Sequence, residues 1–244
     1  MVKNNKDYIT KLSRIRTPII YDTIEKFNVR SRDQGWMDTT IKSILPNLGI
    51  MCGYACTGKF IGEIPPVNNE RIYLFSDIWK YVFESVRPSV MVVQDLDYPN
   101  LRSCAWGDVS ASIFLNLGCI GVITNGGVRD IREVEKLGFN LFAPSPVVGH
   151  GHGRFVEKNV PVKVGALVIN PGDLIHSDEH GVTIIPKEIE LSDLLKKIKE
   201  FMASEKKIID FCKKPNFKIE KLNSIFEEHE KKLTMNLDHL MELG

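Results

Sequence analysis

Apolar positions along this chain change their period several times, and each change marks a predicted element. Residues 6–27 carry helical spacing interrupted at Thr17-Pro18, where Thr17 can cap and Pro18 can open a second helix. The stretch 28–48 is mixed in polarity, with Gly35 and Pro46, and predicts a long connection before a Gly-rich strand pair over 49–64. Ser76-Asp77 can cap a helix over 78–86 that Arg87-Pro88 ends. The run Ser89-Val90-Met91-Val92-Val93-Gln94 is apolar and β-rich without alternation, as in a strand buried on both faces.

Strands and helices then alternate to about residue 143: helical character over 109–118, an apolar strand over 121–124, and a helix over 131–137. Beyond 160 the pattern becomes strand only, over 162–169, 174–177 and 182–185, punctuated by Pro171-Gly172-Asp173 and His180-Gly181. A βα half followed by a strand-rich half predicts an α/β fold with a mixed sheet, or two packed sheets, flanked by helices. From Lys187 helical spacing returns in Leu191, Leu194, Leu195, Ile198, Phe201 and Met202, and again in Leu222, Ile225, Phe226, Leu233, Leu237 and Leu240, with Lys213-Lys214-Pro215 between. The expected organisation is a domain over 1–186 and a C-terminal helical arm over 187–244.

Composition narrows the classes. The chain has 244 residues, 43% hydrophobic, enough for a sizeable core. Its 32 basic and 31 acidic residues leave a net charge of +1, so no overall field favours nucleic acid or an anionic membrane. No apolar run approaches the roughly 20 residues of a membrane span, and the first residues lack the apolar centre of a signal peptide. Five cysteines (Cys52, Cys56, Cys104, Cys119, Cys212) form no scaffold or zinc-finger spacing and fit a reducing cytoplasm.

The candidate chemistry lies in Asp108 and the pair Arg129-Asp130, with twenty residues between them, the pair being reached through the turn Asn125-Gly126-Gly127-Val128. A guanidinium is a planar fork for a carboxylate, and Asp is a hard oxygen ligand for Mg²⁺ or Mn²⁺. Gly107-Asp108 opens a helix, so the main-chain N–H groups of Val109 and Ser110 can face an anion. The structural alternative makes Asp130 the cap of helix 131–137, Arg129 a surface partner and Asp108 a plain N-cap. His150-Gly151-His152 reads as an exposed loop, as two metal-binding imidazoles, or as a loop whose His touches a ligand. His176 and His180, with Asp173 or Asp178, are further ligand candidates on a strand where structural use is expected, and Arg154 is a candidate for a distal carboxylate.

With Asp108, the spaced Arg129-Asp130 and the strand-turn Gly121-Val122-Ile123-Thr124-Asn125-Gly126-Gly127-Val128, the chain resembles the class II pyruvate aldolases that cleave 4-hydroxy-4-methyl-2-oxoglutarate, a family that includes the RraA-like ribonuclease regulators. Leu137-Gly138-Phe139, Pro161-Val162, Val168-Ile169-Asn170-Pro171-Gly172-Asp173 and Asp178-Glu179-His180-Gly181-Val182-Thr183-Ile184-Ile185-Pro186 extend the likeness over about 90–190. It departs at Asn125-Gly126, where the family usually has Asp-Gly.

The resemblance implies an α/β/β/α sandwich and a divalent-metal-dependent lyase (Mg²⁺ or Mn²⁺) that releases pyruvate from a 4-hydroxy-2-oxo acid and decarboxylates oxaloacetate. Asp130 would hold the metal, Asp108 its waters, Arg129 the substrate carboxylate or enolate, and Gly107, Val109 and Ser110 the anionic end. It also implies homotrimers or pairs of trimers with sites at subunit junctions. The alternative it carries is a regulator that docks on a ribonuclease or another protein through its rim and helical tail. Such regulators lack the acid at the position of Asp108, which this chain keeps. Methyl transfer is disfavoured by the lack of a glycine-rich cofactor loop with an acidic ribose partner.

Overall fold

The computed structural model describes residues 5–215 and 217–233. The first half runs α1 (Asn5–Leu12), α2 (Thr17–Glu25), β1 (Lys42–Ser43), β2 (Met51–Ile61), α3 (Phe75–Glu84), β3 (Ser89–Asp95), β4 (Cys104–Trp106) and α4 (Asp108–Asn116). It continues with β5 (Cys119–Thr124), β6 (Gly127–Val128), α5 (Ile131–Leu137), β7 (Asn140–Ala143), β8 (Arg154–Lys158), β9 (Val162–Val164) and β10 (Leu167–Ile169). The last elements are β11 (Leu174–Asp178), β12 (Gly181–Ile185), α6 (Leu191–Cys212) and α7 (Ile219–Leu233).

The expected mixed α/β fold is what forms. One eight-stranded sheet has the order β1-β7-β5-β3-β2-β11-β12, with β8 also paired to β2, and two ribbons, β9–β10 and β4–β6, stand apart from it. Its centre is parallel (β2–β3, β3–β5, β5–β7), whereas β1, β8, β11 and β12 pair antiparallel. The change of periodicity along the chain is therefore the change from crossover-connected parallel strands to antiparallel margins.

The parallel strands are buried on both faces, and side-chain alternation divides them. Met91, Val93, Val122 and Leu141 pack with Phe114 of α4, Val134 of α5 and Val82 of α3. Val90, Val92, Ile123 and Phe142 pack on the other face with Val162, Val164 and Ile169 of the β9–β10 ribbon. Each such side chain contributes about 1.5–3 kcal/mol by leaving water, so an unalternating apolar run has two separate partners to satisfy.

Three local expectations shift. The strand pair expected over 49–64 is one eleven-residue strand, β2, within which Gly53 is a close-approach position where an added Cβ would lie 2.8 Å from Pro88 O. The strand expected over 162–169 is a hairpin, since Gly165 (φ +53) and Ala166 (φ +62) form its two-residue turn. Helix α3 starts before Ser76-Asp77, because Asp77 reaches back to accept the Leu74 N–H at 3.0 Å.

A second compact unit groups Pro18–Arg32 with the described residues from Glu188 onward. Within it, Leu194, Ile198, Phe201 and Phe211 form the buried stripe of α6, and Ser204 Oγ lies 2.9 Å from His229 Nδ1 of α7. Leu237 and Leu240 lie outside the described residues. Among the described residues, no helix is long and apolar enough to cross a membrane.

Candidate active site

Two short parallel strands do the positioning. β4 ends at Trp106 and leads into α4, while β6 ends at Val128 and leads into α5; pairing of Trp106 with Val128 sets Gly107-Asp108 beside Arg129-Asp130. The Arg129 N–H donates to Trp106 O at 3.0 Å, which holds the two helix starts in register.

Asp130 is the informative residue. It occupies the N-cap position of α5 in the left-handed region (φ 56, ψ 42), yet its side chain makes no capping hydrogen bond to that helix. Its Oδ2 instead accepts the Asp108 N–H at 3.3 Å and lies 3.4 Å from Arg129 Nε. An added Cβ on Gly107 would stand 2.2 Å from that same oxygen. Left-handed backbone costs a non-glycine residue about 1 kcal/mol, less for Asp than for most, and here no local cap offsets it. The capping alternative for Asp130 is thus not what the geometry shows.

Beside this pair lies a cavity of ≈ 240 Å³ lined by Gly107, Ser110 and Arg129, and also by Cys104, Trp106, Phe60, Phe75, His150 and Gly153. Of the sequence candidates, Gly107, Ser110 and Arg129 therefore line one hollow, and Asp130 touches its Gly107 wall. Asp108 Oδ1 accepts the Val109 N–H at 2.7 Å, which occupies that main-chain donor, and the Val109 side chain is exposed. Arg129 and Asp130 are 37% and 34% exposed, open enough to meet a ligand. Phe60 and Phe75 could not be found from the sequence, because only tertiary packing brings them to the cavity.

The turn before Arg129 explains the departure at Asn125. Its Oδ1 accepts the Asp95 N–H at 2.7 Å and its Nδ2 donates to Asp95 O at 3.0 Å, prolonging the β3–β5 pairing with a side chain. A carboxylate there could accept but not donate. It would also add charge beside Asp95, whose carboxyl is pushed up to about 6 by burial, with repulsion from Asp97 and Glu63 opposed by the Asp97 N–H.

A pH dependence follows. Because the folded protein holds the Asp95 proton more tightly than the unfolded chain, this group favours folding below the ordinary aspartate range, near pH 4. That contribution is lost as pH rises through about 6. The melting temperature is expected to fall less over this window in Asp95→Asn than in the parent; identical profiles would remove Asp95 as the cause.

Other candidates have structural partners. Arg154 is buried and bidentate to Glu70 (2.9 and 2.8 Å), with Nη1 donating to Ile64 O at 2.8 Å. His176 is fully buried between Thr17 Oγ1 (2.9 Å) and Leu12 O (3.1 Å), and burial lowers its pKa. Among the described residues, Asp178, Glu179 and His180 have ligand atoms close enough together for a metal. Asp178 there already accepts the Thr17 and His180 N–H groups at 2.7 and 2.9 Å. Cys52, Cys56, Cys104 and Cys119 are buried and free, and burial pushes the Cys52 thiol up to about 12.

Comparison with known proteins speaks to the family and the fold. Residues 17–184 match the RraA-like family model, described as Aldolase/RraA. A Halalkalibacterium halodurans protein named "Putative 4-hydroxy-4-methyl-2-oxoglutarate aldolase" is 33% identical over 129 residues, 52% of this chain and 60% of that protein, so the match spans about three fifths of the relative's length. Among solved structures, an uncharacterized Pseudomonas syringae protein superposes with a TM-score of 0.70 at 18% identity, covering 90% of this chain and 93% of that one. The Streptomyces coelicolor RraAS2 protein, described as an unusual member of the RNase ES inhibitor RraA family, gives 0.62 at 19% identity over 82% and 93%. These two likenesses concern the fold. With a family match across most of its length, this chain belongs to the RraA-like (Aldolase/RraA) family.

Proposed function

We propose that this protein is a divalent-metal-dependent lyase that releases pyruvate from a 4-hydroxy-2-oxo acid carrying a second carboxylate, and that the same site decarboxylates oxaloacetate. The observation that carries this reading is the Asp130 carboxylate, turned off its own helix and set beside Arg129 against Gly107. The donor set suits Mg²⁺ or Mn²⁺: a partly exposed hard oxygen ligand with space beside it, since such ions keep several waters and need only one or two carboxylates. Asp130 would hold the ion and Asp108 its waters. When bound, the ion supplies Lewis-acid polarisation of the 2-oxo group.

The chain's own groups account for the remainder. Arg129 pairs with the substrate carboxylate or with the oxygen on which enolate charge develops, where a fixed cation gains most. Gly107 and Ser110 give the carboxylate a place at the start of α4, whose N-terminal end favours an anion. Homotrimers or pairs of trimers, in which a neighbour completes the site, belong to this proposal; mass measurement in solution tests them.

The direct test couples pyruvate release from 4-hydroxy-4-methyl-2-oxoglutarate and from oxaloacetate to a dehydrogenase, with Mg²⁺ or Mn²⁺ against a chelator. Metal-dependent turnover is the expected result, and its absence for both compounds sinks the proposal. Gly107→Ala probes the packing. A methyl group would force the Asp130 carboxylate to move, and a misplacement of about 1 Å can cost about 10²-fold in rate. Turnover should fall by about that factor while thermal stability stays near that of the parent; unchanged kinetics would show that the close approach is irrelevant to activity.

A further inference from the structure

We infer that His150 is the proton-transfer residue of the retro-aldol step, taking the proton of the substrate's C4 hydroxyl; this rests on the lyase reading above. His150 lines the same cavity as Arg129 and Gly107. Its Nδ1 lies 2.8 Å from Gly151 O. A carbonyl only accepts, so Nδ1 carries the hydrogen, and in the neutral ring Nε2 then holds the lone pair.

The exposed loop bearing His150 is anchored just after that residue. The His152 N–H donates to Gly62 O at 2.8 Å, and Arg154, locked on Glu70, reaches His152 O at 3.2 Å. Gly151 adopts φ +56 against β2's exit, where an added Cβ would lie 2.4 Å from Gly62 O. Gly153 packs on Phe60, with no room for a Cβ against its ring. These contacts fix the backbone that follows His150, whose exposed imidazole lines the cavity.

Among the described lining residues, His150 is the one whose neutral side chain offers a ring-nitrogen lone pair: Arg129 has none, and burial pushes the Cys104 thiol up. In the forward step Nε2 takes the C4 hydroxyl proton and the C4–O bond becomes a carbonyl. The C3–C4 bond breaks, and its electron pair passes into the enolate of pyruvate, whose charge Arg129 faces. The imidazolium then returns its proton to C3, which forms the methyl group of pyruvate and restores neutral His150.

Oxaloacetate separates this role from the rest of the site. Its decarboxylation forms the same enolate but has no C4 hydroxyl to deprotonate, and enolpyruvate can ketonise in water. Full-length His150→Ala and His150→Gln, assayed with Mg²⁺, should lose about 10²-fold in retro-aldol kcat and a clearly smaller factor in oxaloacetate decarboxylation. Added imidazole should restore part of the retro-aldol rate in His150→Ala and not in the parent. Equal losses in both reactions, an undiminished retro-aldol rate, or no imidazole rescue overturns the assignment to His150 alone. A parent protein that turns over neither compound overturns the lyase reading and this inference with it.

Discussion

Metal-dependent pyruvate release is expected to disappear in Asp130→Ala and in Asp130→Asn. The two variants are needed together because residue 130 has a backbone task as well as a chemical one. At φ 56 an alanine is strained more than an aspartate, by about 1 kcal/mol, so the alanine variant can lose some stability for reasons unrelated to the metal. Asparagine tolerates the left-handed region, can still accept the Asp108 N–H, and differs chiefly in lacking charge. If Asp130 holds the cation, both variants lose turnover and heat of Mg²⁺ or Mn²⁺ binding, whatever their melting temperatures. Retention of metal-dependent turnover in Asp130→Asn at a rate near that of the parent would strike Asp130 from the ligand set.

Arg129→Ala should reduce kcat/KM by about 10²–10³, the usual loss when a donor aimed at developing charge is removed. The guanidinium is partly exposed, lines the cavity, and touches Asp130 through Nε only at 3.4 Å. Lysine at this position keeps the charge but not the planar fork, so Arg129→Lys should recover only part of the loss. The split between constants is diagnostic. A rise in KM with unchanged kcat means that Arg129 binds the substrate carboxylate equally in ground and transition states; a fall in kcat means that it acts on the enolate. A variant with parental values for both has no place for Arg129 in the chemistry.

Much of the fold could be read along the chain, and the reasons are local. The run 89–94 is strand-like because β-branched residues there alternate between two buried faces, and Ile131–Leu137 is bounded by Asp130 before it and Gly138 (φ +74) after it. Where local evidence misled, a distant contact was responsible. Arg154 looks available to a substrate but is held by Glu70, 84 residues away.

The site divides along the same line. Residue types and spacing marked Asp108, Arg129, Asp130 and the helix start at Gly107 as candidates beside a plain structural reading, because turn chemistry and a guanidinium next to a carboxylate are properties of a few consecutive residues, and the family resemblance favoured the chemical one. That the Asp130 carboxylate leaves its own helix, that Asn125 clamps Asp95, and that His150 and two phenylalanines share the Arg129 cavity were decided by the tertiary structure. Side-chain direction and cavity walls depend on which strands pair and in what register, and those pairings are set by burial summed over the whole sheet.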